Sequence, residues 1–237
     1  MSKQSKILSK YFELCPSFFG IINKFKPHII DYDHIATRTF NINQSHKIIS
    51  RNYKLENDKF FFPQHNANAV WYSNPKMIIP RIFVSTYSNP LFDANLYPNL
   101  HPLVSRLINY PSEKMSYYLY HQLQKTNQYL AWTLLFKNDI NHIALRVQSA
   151  EEFLELLRKC NYPIHQPENP LQISNDKKLI QFSTVADKIK YQFSDGTYEI
   201  PYAFVEIIER KVDPITGQIR EGFDTENANQ ILYTTKK

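Results

Sequence analysis

Glycine is scarce in this 237-residue chain, with four against 14 prolines. Neither G-x-G-x-x-G nor G-x-x-x-x-G-K-[ST] occurs, so the loops that cradle a dinucleotide or a nucleoside triphosphate are missing. Cysteine is nearly absent: Cys15 and Cys160 are too few and too far apart for a disulfide framework or a Cys-rich zinc site. They read as reduced thiols of a cytoplasmic protein. No stretch approaches the roughly 20 apolar residues that span a bilayer. The opening MSKQSKILSKYFELCPSFFG has lysines but no unbroken apolar segment before a small-residue cleavage site, so neither a membrane partner nor a signal peptide is expected. Long basic runs are missing as well. The net charge of +6 comes from the ends: residues 1–27 hold five lysines and one glutamate, and Lys236 and Lys237 close the chain. The remainder is balanced, which argues against a nucleic-acid partner.

What the chain does contain is an internal repeat. Asp33-His34-Ile35-Ala36-Thr37-Arg38 returns as Asn141-His142-Ile143-Ala144-Leu145-Arg146, each in a short apolar run that reads as a strand. Alternation puts His34, Ala36 and Arg38 on one face, and likewise His142, Ala144 and Arg146. A second pair follows in the same order, Ile79-Pro80-Arg81-Ile82-Phe83-Val84-Ser85 and Ile200-Pro201-Tyr202-Ala203-Phe204-Val205-Glu206. Two signatures in one order indicate a duplication. In this alignment Ser85 stands where the second copy has Glu206, so the duplicated unit supplies two histidines and one carboxylate.

The expected organisation is a single α+β domain over 1–237. Residues 1–28 form an N-terminal helical cap in which Pro16 separates two short helices, 29–87 a first βαβββ module, and 88–137 a helical insertion of amphipathic helices broken near Pro111. Residues 138–211 form a second βαβββ module and 212–237 a tail ending in a short helix over 226–232. In the second module Ser149 and Glu152 have capping-box spacing, Asp195-Gly196 marks a hairpin, and Leu179–Thr184, Lys188–Phe193 and Ile200–Arg210 read as three strands.

Two neutral imidazoles and one carboxylate on one side of a divalent metal leave positions open for substrate and dioxygen. His34, His142 and Glu206 are the residues of that type which the duplication brings toward one cavity. Alternation selects Glu206, which shares a face with Phe204, Ile208 and Arg210, over Glu209 on the other. A carboxylate between Val205 and Ile207 is costly to bury without a cation, so Glu206 requires either a metal or an arginine such as Arg38, Arg146 or Arg210. Arg38 lies about 13 Å along the strand from His34. Its guanidinium can clamp a substrate carboxylate bidentately, or form a plain ion pair. Gln181 and Ser183 alternate together on a strand of the second module and can add neutral hydrogen bonds. The other six histidines, at 28, 46, 65, 101, 121 and 165, have no repeat partners and read as background. Iron and manganese both accept such a donor set.

With those residues in place, the chain resembles the 2-oxoadipate dioxygenase/decarboxylase family of the vicinal oxygen chelate superfamily. The resemblance rests on Asp33 to Phe40, Pro80 to Ser85, Tyr129 to His142, Gln181 to Asp187, Phe193 to Pro201, Phe204 to Arg210, and Glu221-Gly222-Phe223 with Ala228 and Ile231, covering nearly everything from Tyr32 onward. It implies the glyoxalase-like fold of paired βαβββ modules and a mononuclear iron(II) site on His34, His142 and Glu206. Arg38 is then the substrate-clamping residue, with Gln181 and Ser183 beside the substrate. The implied reaction consumes dioxygen and converts 2-oxoadipate to 2-hydroxyglutarate and carbon dioxide. Two other readings stand beside it: a non-redox metal-dependent lyase or isomerase of the same superfamily, and a non-catalytic module binding a small acid or nucleic acid.

Overall fold

The computed structural model describes residues 3–62, 67–87, 101–110, 113–220 and 222. Helices α1 (Lys3–Leu14) and α2 (Pro16–Phe25) open it, with Pro16 in the first turn of α2, where its missing N–H leaves no bond unmade. Strand β1 (Ile29–Thr39) leads through α3 (Ile42–Ile49) to β2 (Lys54–Phe62), β3 (Ala67–Ser73) and β4 (Arg81–Tyr87). Helices α4 (His101–Asn109), α5 (Tyr117–Thr126) and α6 (Gln128–Phe136) follow. The second half runs β5 (Ile140–Val147), α7 (Ala150–Lys159), β6 (Gln172–Ile173), β7 (Leu179–Ser183), β8 (Asp187–Phe193) and β9 (Gly196–Arg210). The expected break at Pro111, residues 88–100 and the helix expected over 226–232 lie outside the described residues.

The architecture is α+β, with the two strand–helix–strand halves meeting edge to edge. Strand order is β2-β3-β4-β1-β5-β9-β7-β6, with β8 on β9. The seam is the antiparallel β1–β5 pair, where His34 faces Ala144 and Ala36 faces His142. Each seam strand then pairs in parallel with the last strand of its own half, β1 with β4 and β5 with β9. The seam therefore carries a pseudo-twofold relation between the two histidines.

Three details depart from the sequence reading. Segments 179–183 and 187–193 are successive partners of the single long strand β9, while the two-residue β6 takes the outer place beside β7. Helix α6 is not amphipathic: Gln128 to Thr133 and Phe136 are all buried, as suits a helix apolar on every side. Strand register also revises the repeat alignment, because Phe83 lies beside Ala36 as Glu206 lies beside Ala144. Phe83, not Ser85, is thus the spatial counterpart of Glu206. A two-residue offset leaves every side chain on its own face, so alternation could not expose it.

Local chemistry accounts for the other elements. Ser149 Oγ accepts the Glu152 N–H at 3.2 Å, two glutamates sit in the first turn of α7, and Arg158 and Lys159 close it. Ala150, Phe153, Leu154 and Leu157 form its buried stripe. The β8–β9 hairpin needs Gly196, whose φ of 145° is hostile to a side chain. Between β7 and β8 the ladder on β9 is interrupted, and there Tyr11 of α1 donates its hydroxyl to the Phe204 carbonyl at 2.7 Å and accepts the Ile143 N–H at 3.3 Å. Tyr11→Phe should lower unfolding free energy by about 1–2 kcal/mol in a denaturant titration, the value of a buried hydrogen bond. An unchanged midpoint would mean that these two bonds add nothing to the apolar packing, the Lys10–Asp139 ion pair and the Ser17–Asp187 hydrogen bonds that also hold the cap.

Candidate metal centre

The seam strands place the site, and their irregularities equip it. On β1, Tyr32 pairs with Leu145 but His34 pairs with Ala144, so Asp33 is the extra residue of a bulge. On β5, Ala36 pairs with His142 but Thr37 pairs with Ile140, which makes Asn141 the extra residue of a second bulge. Strict alternation would send each of these side chains away from its neighbouring histidine. Freed from it, Asp33 Oδ1 lies 2.8 Å from His34 Nδ1, and Asn141 Oδ1 lies 3.1 Å from His142 Nδ1.

These contacts settle the imidazole tautomers. An ionised carboxylate only accepts, so His34 carries its hydrogen on Nδ1. The Arg38 guanidinium donates Nη2–H to Asn141 Oδ1 at 3.2 Å, which orients that amide, and His142 must then donate from Nδ1 to the same oxygen. Both Nε2 atoms are left as lone-pair donors pointing inward. They are 3.4 Å apart, and Glu206 Oε2 lies 3.2 Å from His34 Nε2 and 3.0 Å from His142 Nε2.

Three lone pairs, one of them on an anion, thus converge in a buried space, with Glu206 only 1% exposed. Such a cluster requires a cation. Metal bonds of about 2.1 Å at right angles place donor atoms about 3 Å apart. The observed separations match, so the residues fit a divalent metal held on two imidazoles and a carboxylate. Protonation behaviour reports the same demand for positive charge. Burial raises the Glu206 carboxyl, but the two imidazoles bring it down to about 2. Burial works against the His34 imidazolium, yet Glu206 and Asp33 pull its pKa above the ordinary value, whereas burial dominates at His142 and lowers it.

Arg38 is buried beside His142, with its guanidinium carbon 4.6 Å from the centre of the Tyr129 ring and 5.0 Å from that of Trp132. Both aromatic residues come from α6, which explains why that helix is buried on every side. Tyr129 donates its hydroxyl to Ser85 Oγ at 2.8 Å, and Ser85 pairs with Arg38 across β4 and β1. Ser183 lies beside Glu206 in the β7–β9 ladder and Gln181 beside Ile208, so both share the Glu206 face. The buried Gln181 Oε1 has no hydrogen-bond partner among the described residues.

Other expected candidates have structural tasks. Glu209 points away and accepts the first N–H of α7, from Ala150, at 2.9 Å. Arg210 shares the Glu206 face but pairs with Asp33 through Nε at 2.6 Å and Nη2 at 2.9 Å. Burial raises the Asp33 carboxyl, and the Arg210 charge overcomes this to hold it well below the usual range. Arg146 makes a two-pronged ion pair with Asp31 at the partly exposed end of the seam. Arg146→Ala should therefore cost less than about 1 kcal/mol of stability and leave metal affinity unchanged, as denaturation and metal titration would register. His46 meets the Tyr72 hydroxyl at 3.1 Å and His121 lies along Tyr117, neither near the triad; His65 lies outside the described residues. An apolar groove of about 600 Å³ lined by Phe12, Ile35, Ile48, Ile79 and Ile140 opens on the other face of β1 and is separate from the triad.

Asp33, Asn141 and the aromatic pair Tyr129 and Trp132 have functional positions that the sequence reading did not single out. The repeat held a signal for the first two, since each precedes its histidine.

Comparison with known proteins follows this geometry. A family model described as 2-oxoadipate dioxygenase/decarboxylase matches residues 103–230, more than half of the chain. The chloroplastic 2-oxoadipate dioxygenase/decarboxylase of Arabidopsis thaliana is 28% identical over 251 residues, covering 86% of this chain and 68% of that protein. Its chloroplastic/amyloplastic counterpart from Oryza sativa subsp. japonica is 24% identical over 285 residues, covering 99% and 77%. The crystal structure of hydroxyglutarate synthase in complex with 2-oxoadipate from Oryza sativa superposes with a TM-score of 0.84 at 24% identity, covering 98% of this chain and 90% of that one. A protein described as belonging to the glyoxalase superfamily, from Ralstonia eutropha JMP134, gives 0.67 at 17% identity, covering 92% and 83%. The fold is thus of the vicinal oxygen chelate type.

Proposed function

The chain belongs to the 2-oxoadipate dioxygenase/decarboxylase family, and from that premise we propose that it is an iron(II)-dependent dioxygenase. It oxidatively decarboxylates a 2-oxo dicarboxylic acid of the 2-oxoadipate type to a one-carbon-shorter 2-hydroxy acid, 2-hydroxyglutarate, and carbon dioxide. The observation that carries the reading is the convergence of His34, His142 and Glu206 beside a buried arginine. The atoms balance: one oxygen of dioxygen completes a carboxylate at the former keto carbon, and the other becomes the hydroxyl on its neighbour. Carbon dioxide leaves from the original carboxylate.

Iron bound there supplies the redox chemistry and the open positions at which a 2-oxo acid and dioxygen meet. The protein's share is binding, orientation and charge. His34 and His142 present fixed Nε2 atoms because Asp33 and Asn141 hold the opposite ring nitrogens. Glu206 contributes one negative charge against a divalent ion, leaving net positive charge for an anionic substrate. Arg38, steadied by Tyr129, Trp132 and Asn141, takes the distal carboxylate of the dicarboxylic acid in a two-pronged contact. Ser183 and Gln181 add uncharged hydrogen bonds from the neighbouring strand. Buried Trp71 and Phe83 help keep water out, which strengthens each of these polar contacts.

The test is anaerobic reconstitution with iron(II), then 2-oxoadipate, then oxygen, with oxygen uptake and carbon dioxide release followed together. Equal uptake and release is the expected result. Iron binding with no change in either gas across a series of 2-oxo acids would overturn the dioxygenase reading in favour of non-redox chemistry at the same metal.

A further inference from the structure

Arg210, at the end of β9, donates hydrogen bonds from all three of its side-chain nitrogens. Nε and Nη2 hold the two oxygens of Asp33, while Nη1 donates to the carbonyls of Arg220 at 3.1 Å and Gly222 at 2.8 Å. Asp33 in turn faces His34 Nδ1 at 2.8 Å, and Arg81 Nη1 stands 3.7 Å from its other oxygen. The side chains of Asp33 and Arg210 are fully buried. A continuous hydrogen-bonded chain thus runs from the carbonyls of Arg220 and Gly222, through Arg210 and Asp33, to the first histidine of the triad. The second histidine has an uncharged counterpart of this chain: its bulge residue Asn141 accepts both from Arg38 and from His142 Nδ1.

We propose that Asp33 and Arg210 are positioning residues for the metal. Asp33 fixes the His34 ring and tautomer so that Nε2 faces the ion, and Arg210 locks the Asp33 carboxylate by tying it to the carbonyls of Arg220 and Gly222. The inference rests on the metal-site reading above and deepens it. Its physical basis is that a histidine ligand whose distal N–H is held by a carboxylate is oriented in advance and is a stronger donor. A bidentate arginine leaves that carboxylate a single geometry. The bulge at Asp33 has a function on this view, because a regular strand would turn the carboxylate away.

The test uses metal-free full-length protein titrated anaerobically with Co(II) alone. In parallel, ¹⁵N imidazole spectra are recorded without metal, the His34 resonances being assigned with a His34→Gln variant. Wild type should show His34 protonated on Nδ1. Asp33→Ala should lose that tautomer preference and bind Co(II) about 10- to 100-fold more weakly, the usual effect of removing such a partner. Asp33→Asn restores an acceptor like the one at position 141 and should recover part of the affinity, an outcome expected of positioning and not of general structural damage. Arg210→Lys keeps the charge but loses the fork, and should weaken Co(II) binding while the protein still unfolds cooperatively. Asp33→Ala with wild-type Co(II) affinity and an unchanged His34 tautomer would overturn the proposal. If wild type itself takes up no Co(II), the metal reading fails instead, and the tautomer comparison still decides whether Asp33 sets the ring.

Discussion

Glu206→Ala should yield a folded protein that retains no iron and consumes no oxygen above background. Two neutral imidazoles remain after the change, and they hold a divalent ion far less well than a set containing a carboxylate. The metal term in catalysis amounts to several kcal/mol, so its loss corresponds to a fall of about a thousandfold or more in kcat. Stability should fall as well. In the metal-free protein Glu206 is a buried anion that the two imidazoles stabilise, holding its carboxyl at about 2. Its removal breaks that pairing, so the metal-free variant should melt lower than metal-free wild type, by the few kcal/mol that losing one partner of a buried charge pair costs. Wild type should gain stability from added iron(II) by mass action, and the variant should not. Full iron retention by Glu206→Ala would remove that residue from the triad; His34→Ala and His142→Ala are open to the same measurement.

Arg38→Met should separate substrates by their far end. If Arg38 holds the distal carboxylate, the change leaves a desolvated anion without its partner. That costs about 2–5 kcal/mol, or about 30-fold to several thousandfold in kcat/KM for 2-oxoadipate. A 2-oxo monocarboxylic acid of equal length lacks the second carboxylate and should lose little. Arg38→Lys should not rescue, because a point charge reproduces neither the two-pronged contact nor the stacking on Tyr129 and Trp132. Equal losses for both substrates would show that Arg38 supports the site without reading the substrate. Because Arg38 also orients Asn141 beside His142, the two substrates are compared at saturating iron(II), which keeps this result distinct from a loss of metal affinity.

How much of this was legible in the sequence depended on period. His34, His142, Arg38 and Glu206 each lie on a strand where alternation decides the face, and repetition singled out the two histidines among eight. The paired halves were visible for the same reason. What breaks the period was hidden. Asp33 and Asn141 reach their histidines through bulges, which an alternating pattern cannot register. Aligning Ser85 with Glu206 was locally sensible, because a shift of two keeps every face; only the ladder between β1 and β4 shows Phe83 in that place. Helix α6 has no polar face to mark a buried stripe, and its Trp132 both lies against Arg38 and donates to the Tyr202 carbonyl. Arg210 was one of several arginines able to neutralise Glu206, and no sequence rule directs it to Asp33 instead.

The substitution of Phe83 for a second carboxylate bears on the direction in which the substrate lies. Two identical halves would form a cradle with a twofold axis through the metal, and a bent, flexible acid could lie in it in two equivalent ways, with its far end toward either half. Here one half offers Glu206 and the other an aromatic wall of Phe83 and Trp71, with Arg38 at one end only. The two orientations are no longer equal in energy. On the proposed reaction the distal carboxylate is drawn to the Arg38 side alone, so the 2-oxo acid lies across the metal in a single direction.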